Sequence, residues 1–160
     1  MTMKIKRSKL AVFLNTGTAD AAAYNLIGNG VASQTINYNP QTEEETYIHQ
    51  DSGNTEVTGY KPTIPTPMTA IKGDPIFDYV DKIRRNRSIL DDAKTTVCIV
   101  YLYEDAESGA YPAEECDCTV QIDDFGGDGG ASAVINFTIN LCGEPTQGTF
   151  DPTAKKFTAE

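Results

Sequence analysis

Histidine occurs once in these 160 residues, at His49. A single imidazole leaves no Ser–His–acid or Cys–His arrangement to be argued from spacing. Long apolar runs are missing as well. No stretch approaches the roughly 20 apolar residues of a membrane-spanning helix. Lys9–Asn25 lacks the apolar run and cleavage site of an export leader. Neither membrane insertion nor export is therefore expected. Lys and Arg are absent from Thr95 to Ala154, a span that holds eleven acids: Glu104, Asp105, Glu107, Glu114, Glu115, Asp117, Asp123, Asp124, Asp128, Glu144 and Asp151. A like-charged stretch repels itself unless it meets solvent or a basic partner surface. The whole chain has 23 acids, 13 bases and a formal charge of −10. That balance excludes a nucleic-acid-binding surface of the ordinary basic kind. It leaves room for a surface that faces nucleic acid without holding it. The bases gather at the start instead, where Lys4, Lys6, Arg7 and Lys9 stand without an acid among the first ten residues.

Chemistry-bearing motifs are equally sparse. The four cysteines, Cys98, Cys116, Cys118 and Cys142, read as reduced thiols made in a cytosol. Cys116 and Cys118 are two apart, which puts both on one face of a strand. Four soft ligands would suffice for zinc if Cys98 and Cys142 converged with them, but C-x-C is not the spacing of a usual zinc knuckle. Core thiols are the favoured reading. Asp123, Asp124 and Asp128 flank a glycine-rich stretch without the alternating ligands and terminal Glu of a calcium loop. No glycine pattern stands between a strand and a helix as nucleotide binding requires, and GNG at 28–30 is too short a signal. No carboxylate pair is singled out. The chain is read as having no catalytic residue, no cofactor and no metal, and as not being an enzyme.

What is present is polar extended sequence. Ser8–Leu14 reads as a first strand, and 15–28 as a loop or short helical turn. Val31–Tyr38 alternates weakly and is expected to be a strand. Thr42–His49 is extended, with Glu43, Glu45, Tyr47 and His49 on one side. Asp51–Asn54 is a turn signal and Thr55–Tyr60 resumes as a strand. Residues 31–60 thus predict a long polar hairpin with neither face apolar enough for an ordinary core. So much two-sided polar strand suits a protein that pairs with copies of itself. Pro62, Pro65 and Pro67 favour an extended connector or sheet edge, followed by a short strand over 68–71. A helix is predicted from Asp74 as cap and Pro75 as first residue to Arg87. Ile76, Phe77, Val80 and Ile83 form its apolar stripe, which should cover a sheet. Asp78 with Lys82 and Asp81 with Arg85 are spaced to pair. Thr96–Tyr103 reads as a buried strand. Cys116–Phe125 and 133–141 read as a half-buried hairpin joined through Gly126–Gly130. Two very short strands are expected around Asp151–Pro152, anchored by Phe150 and Phe157.

The stretch from Asn37 to Arg85 resembles the major tail tube proteins of long-tailed, non-contractile bacteriophages, in the branch found in phages and prophages of Firmicutes. The marks are Asn39–Pro40, Tyr47–Ile48, Gly59–Tyr60–Lys61–Pro62, and Gly73–Asp74–Pro75 followed by Phe77. The ending Gly148-Thr149-Phe150-Asp151-Pro152-Thr153 is similar too. The loop Glu104–Glu115 and the C-x-C pair have no counterpart in this resemblance. The resemblance implies a mainly β fold, a tail-tube-like sandwich or barrel with one flanking helix and a long polar hairpin loop. It implies a single domain over 1–160, with an N-terminal arm at about 1–9, the loop at about 43–55 and a C-terminal arm at about 146–160. Six copies would close into a ring, and rings would stack into a tube conducting DNA and the tape-measure protein. Tail terminator and distal tail proteins would bind its ends, in the virion tail, after assembly in the bacterial host cytoplasm.

A lumen of negative charge would keep DNA from sticking, since each phosphate held by Lys or Arg adds affinity. Glu43, Glu45, Tyr47, His49, Asp51 and Glu56 are the candidates for lumen or inter-ring contacts, with Gln34 beside them. Lys4, Lys6, Arg7, Arg84, Arg85 and Arg87 would meet the acids of a neighbouring copy. The competing readings are a ring-forming terminator or connector protein and a monomeric immunoglobulin-like binding module.

Overall fold

A computed structural model describes residues 2–160. Among them are nine strands and one α-helix: β1 (Leu10–Asn15), β2 (Tyr24–Leu26), β3 (Pro40–Glu45), β4 (Asn54–Tyr60), β5 (Thr63–Thr69), α1 (Pro75–Asn86), β6 (Lys94–Tyr101), β7 (Tyr111–Gly126), β8 (Val134–Asp151) and β9 (Lys156–Ala159). The main sheet is antiparallel, in the order β2-β1-β6-β7-β8-β5, with β9 added to the distal end of β8. It curls into a nearly closed, barrel-like sheet. β3 and β4 pair only with each other.

Both faces of the central strands are buried. On β1, Val12 and Leu14 enter one core while Ala11 and Phe13 enter a second on the opposite face. On β6 the same division sets Val97 and Ile99 against Cys98 and Val100. Strands buried on both faces read as unbroken apolar runs, which is what AVFL and VCIV are. The first core is closed by α1 through Ile76, Phe77, Val80 and Ile83, the stripe predicted from the sequence. The second is smaller, with Phe150 against Phe13 at 4.5 Å and edge-on to Tyr24 at 5.7 Å.

The helix boundaries follow local chemistry. Asp74 Oδ1 accepts from the backbone N–H of Ile76 at 2.9 Å and Phe77 at 3.2 Å, and Pro75 fills the first position. These two donors have no intrahelical partner otherwise. Arg87 ends the helix in the left-handed conformation. Of the two charge pairs expected from spacing, Asp81–Arg85 forms and Asp78–Lys82 does not. Asp81 holds both Arg84 (2.6 Å) and Arg85 (3.0 Å), and Asp78 accepts from Gly73 N–H at 3.3 Å.

Residues 31–38 are not a strand, contrary to expectation. They lie along β5 and bond to it near their ends, through Thr69 N–H to Gly30 O (2.9 Å) and the Asn37–Thr63 bridge (2.8 Å). The reason lies in β5. Its even-numbered groups face β8, as the Leu141–Pro62 and Ala70–Ala133 bonds require. Its outward edge is therefore Thr63, Pro65, Pro67 and Thr69. Two of those four positions have no N–H, so no continuous ladder can form. The proline stretch is itself the edge strand, longer than the short strand expected at 68–71.

β7 and β8 are longer than their apolar alternation indicated. β7 starts at Tyr111, and β8 runs through Gly143 to Asp151, taking in the first of the two short strands expected in the tail. Within 146–160, the range expected as an arm, 146–151 end β8 and Lys156–Ala159 form β9, both in the chain's own sheet. Gly148 permits that close pairing, because a Cβ there would collide with the Thr158 carbonyl oxygen.

Candidate assembly surfaces

Three surfaces of the subunit carry organised chemistry without an interior of their own. The first is the β3–β4 hairpin. Every residue of β3 is exposed, as is every residue of β4 except half-buried Gly59. Glu43 stands directly across from Glu56, and Glu45 from Asn54, so Glu43, Glu45 and Glu56 share one face. A bulge between Gln41 and Thr42 skips Thr58 and puts Thr42 opposite Val57. The other face therefore carries Thr42, Glu44, Thr55, Val57 and Tyr60. Like charges directly opposite destabilise a strand pair, and residues 40–60 contain no Lys or Arg to offset them. At the tip Tyr47 Oη donates to Glu45 at 2.8 Å, and the Tyr47 and His49 rings stack at 6.3 Å. Ile48 projects fully into solvent.

The second surface is the outer face of β5, β8 and β7, opposite the first core. Thr63, Pro65, Pro67 and Thr69 adjoin Asn140, Thr138, Asn136 and Val134. Thr119, Gln121 and Asp123 continue the face on β7. Its side chains bond to one another. Thr138 Oγ1 donates to Asp123 Oδ2 (2.7 Å), Gln121 Nε2 to Asp123 Oδ1 (2.6 Å), and Asn140 Nδ2 to Gln121 Oε1 (3.3 Å). A bulge between Ile122 and Asp124 lets two successive acids, Asp123 and Asp124, point outward; Asp124 accepts from Asn136 at 2.6 Å. The same bulge turns Phe125 to the helix side of the sheet, where, still exposed, it stacks on Phe77 at 6.3 Å and lies under the Arg84 guanidinium at 4.6 Å. No Lys or Arg occurs on β5, β7 or β8. Lys94, at the border beside Thr119, is held by Asp91 at 3.3 Å.

The third is a sheet edge. β6 pairs with β7 only as far as Lys94–Thr119, so Val120–Gly126 shows an unpaired edge on that side. Beside it, Arg87 and Leu90 adopt positive φ (46° and 52°), and Ile89 and Leu90 are 70% and 77% exposed. These elements border a groove of about 570 Å³.

The predicted site residues divide accordingly. Glu43, Glu45 and Glu56 come together on one face, with Tyr47 and His49 at the tip and Asp51 in the turn beyond. Gln34 stands apart, since its amide turns inward to Thr66 Oγ1 at 2.8 Å. Arg84 and Arg85 are held by Asp81 within their own helix, and Arg7 donates to Gln34 O and Leu10 O. The polar face of β7 and β8 is not among the surfaces the sequence suggests. Its local signal is the Asn-x-Thr-x-Asn alternation of 136–140, which reads equally as the outside of an ordinary hairpin.

The cysteines do not converge on a metal. Cys116 and Cys118 share the first core, as their spacing required, while Cys98 sits in the second, across the sheet. No cluster of three or more metal-type ligands is present among the described residues. Burial pushes the Cys98 thiol up to about 12 and also raises Cys116 and Cys118. These groups are therefore protonated core thiols and poor nucleophiles. Burial likewise raises Tyr24, whose Oη donates to Glu115 at 2.5 Å.

No protein-family model matches the chain, and no curated protein matches it. Solved structures do. A chain from the six-fold symmetrised baseplate of the anti-feeding prophage superposes with a TM-score of 0.50 at 12% identity, over 92% of this chain and 97% of that one. A chain from the tail of the empty GTA particle, solved with C6 symmetry, superposes with a TM-score of 0.65 at 13% identity, over 98% of this chain and 100% of that one. The mainly β, tail-tube-like fold expected from the sequence is thus the fold observed, shared along almost the whole chain with a subunit of a six-fold tail.

Proposed function

We propose that this chain is the repeating subunit of a phage tail tube. Six copies close into a ring, and rings stack into a channel through which DNA passes without being held. The observation that carries the reading is the outer face of β5, β8 and β7, a sheet surface that is polar, hydrogen-bonded within itself and free of Lys and Arg. A wide channel needs such a face, because its inner strands meet water rather than a packed core. With no cation on these strands, phosphates find nothing to neutralise them and DNA slides. Correspondence over 98% of the chain with a subunit of a C6-symmetric tail supports the same reading. In it, the outer face of β5, β8 and β7 lines the lumen. The unpaired edge of β7 meets the neighbour in the ring, which removes an edge that would otherwise invite uncontrolled pairing. The acidic hairpin, with Glu43, Glu45, Tyr47, His49, Asp51 and Glu56, reaches an adjacent ring.

The branch of long-tailed, non-contractile phages of Firmicutes, the virion location and the partners at the tube ends belong to the same proposal. Negative-stain images of concentrated purified protein test it. Open-ended filaments of variable length are the expected result. Single rings that never stack would favour a terminator or connector protein, and a monomer at every concentration would favour the binding module.

A further inference from the structure

The β3–β4 hairpin lacks a third strand, and a lone two-stranded pair is marginally stable in water. Its outer edges are unpaired among the described residues. Residues 2–6 form neither ladder nor helix and are exposed throughout. Within them Met3 (80% exposed) and Ile5 (61%) alternate with Lys4 and Lys6. Successive side chains of a strand point to opposite faces, so paired as a strand this segment would present two apolar groups on one side and two ammonium groups on the other. The hairpin is divided unevenly in the same sense, with Val57 and Tyr60 on one face beside a single acid, Glu44, and Glu43, Glu45 and Glu56 on the other.

We propose that residues 2–6 of a second copy add to the outer edge of β4 as a third strand. The inference rests on the tube reading and names one contact within it. Met3 and Ile5 cover the Val57 and Tyr60 face. Lys4 and Lys6 come beside Glu56 and reach Glu43 behind it, relieving a like-charge pair that residues 40–60 cannot relieve themselves. Main-chain bonds supply affinity in strand addition, and the alternating side chains set register. Charge complementarity favours the partner: an acidic hairpin free of Lys and Arg faces a stretch that is basic and free of acids. Unlike Arg84 and Arg85, which Asp81 holds, Lys4 and Lys6 have no salt bridge in their own copy among the described residues. In its own copy the segment borders Leu102 and Tyr103 and makes no backbone bond to β4.

The test pairs Ile5→Cys with Val57→Cys in the full chain under mild oxidation. A ladder of covalent multimers on a non-reducing gel is expected, absent from either single variant and from the parent protein. A cross-link confined to the monomer band, or none, overturns the proposal. A charge swap gives an independent readout at exposed positions that the fold does not need. Lys4→Glu with Lys6→Glu should raise the concentration required for assembly about tenfold, the size of two or three cross-strand pairs. Adding Glu43→Lys with Glu56→Lys should bring it back. Tubes that form without cross-link or rescue overturn the strand addition and leave the tube standing. Protein that stays monomeric at every concentration overturns the tube as well.

Discussion

Phe77 joins the helix to the sheet. It is buried in the first core and stacks on Phe125, which the bulge in β7 turns toward the helix. Phe77→Ala should cost about 3–5 kcal/mol, the usual loss for a buried aromatic. Urea unfolding checks this, and a change below about 1 kcal/mol would show that the helix is not the cover of the sheet. Phe77 was legible in the sequence because its neighbours repeat at helical spacing. Its contact with Phe125 was not, since a bulge is a property of strand pairing. Cys98 makes a prediction about pH. Its folded value lies near 12 against an ordinary thiol value of 9.0, because burial disfavours the thiolate. Above the ordinary value the unfolded chain releases its proton while the folded chain keeps it. The associated stability is therefore present below about pH 9 and lost as pH rises toward 12. Denaturant midpoints measured in reductant should fall over that window, and less steeply in Cys98→Ala.

Elements differ in how local their causes are. Helix α1 was readable to within a residue because its cap, first proline, stripe and terminal charges are all local signals. Residues 31–38 misled because alternation alone does not make a strand. A ladder also needs donors on the partner, and Pro65 and Pro67 withdraw them from the facing edge of β5. β7 and β8 outran their apolar alternation because their distal halves pair through polar or small residues, including Gly148 against Ala113. The β3–β4 hairpin was visible as polar extended sequence around a turn. Deleting residues 43–55 should leave the thermal midpoint nearly unchanged, because the hairpin contributes no buried apolar side chain. It should abolish or shorten filaments in negative stain. Full-length filaments at normal concentration would show that the hairpin does not join rings.

At the scale of the whole molecule, charge is arranged by surface. Bases cluster among the first ten residues and at the end of α1, acids on the hairpin, and neutral polar groups with two aspartates on the outer face of β5, β8 and β7. If that face lines a channel, cations placed there should interfere with DNA and not with folding. Pro65→Lys combined with Asn136→Lys should leave ring and tube formation intact, since Pro65 is exposed and Asn136 half-buried on strands away from the β7 edge. Filaments of the variant should retain DNA oligonucleotides that the parent releases, with retention falling steeply as salt rises. Equal release by both would place the lumen on another surface.

The sequence by itself determined the helix and its buried face, the β character, the polar hairpin and the absence of cation along Thr95–Ala154. Each of these follows from residue type and spacing over a few positions. Only the tertiary structure decided that Glu43, Glu45 and Glu56 share a face, that Asn136, Thr138 and Asn140 continue onto β5 and β7, and that Cys98 lies across the sheet from Cys116 and Cys118. Those facts depend on register and bulges. Register is set by which strands pair and how many residues each skips, and no spacing within one strand encodes it.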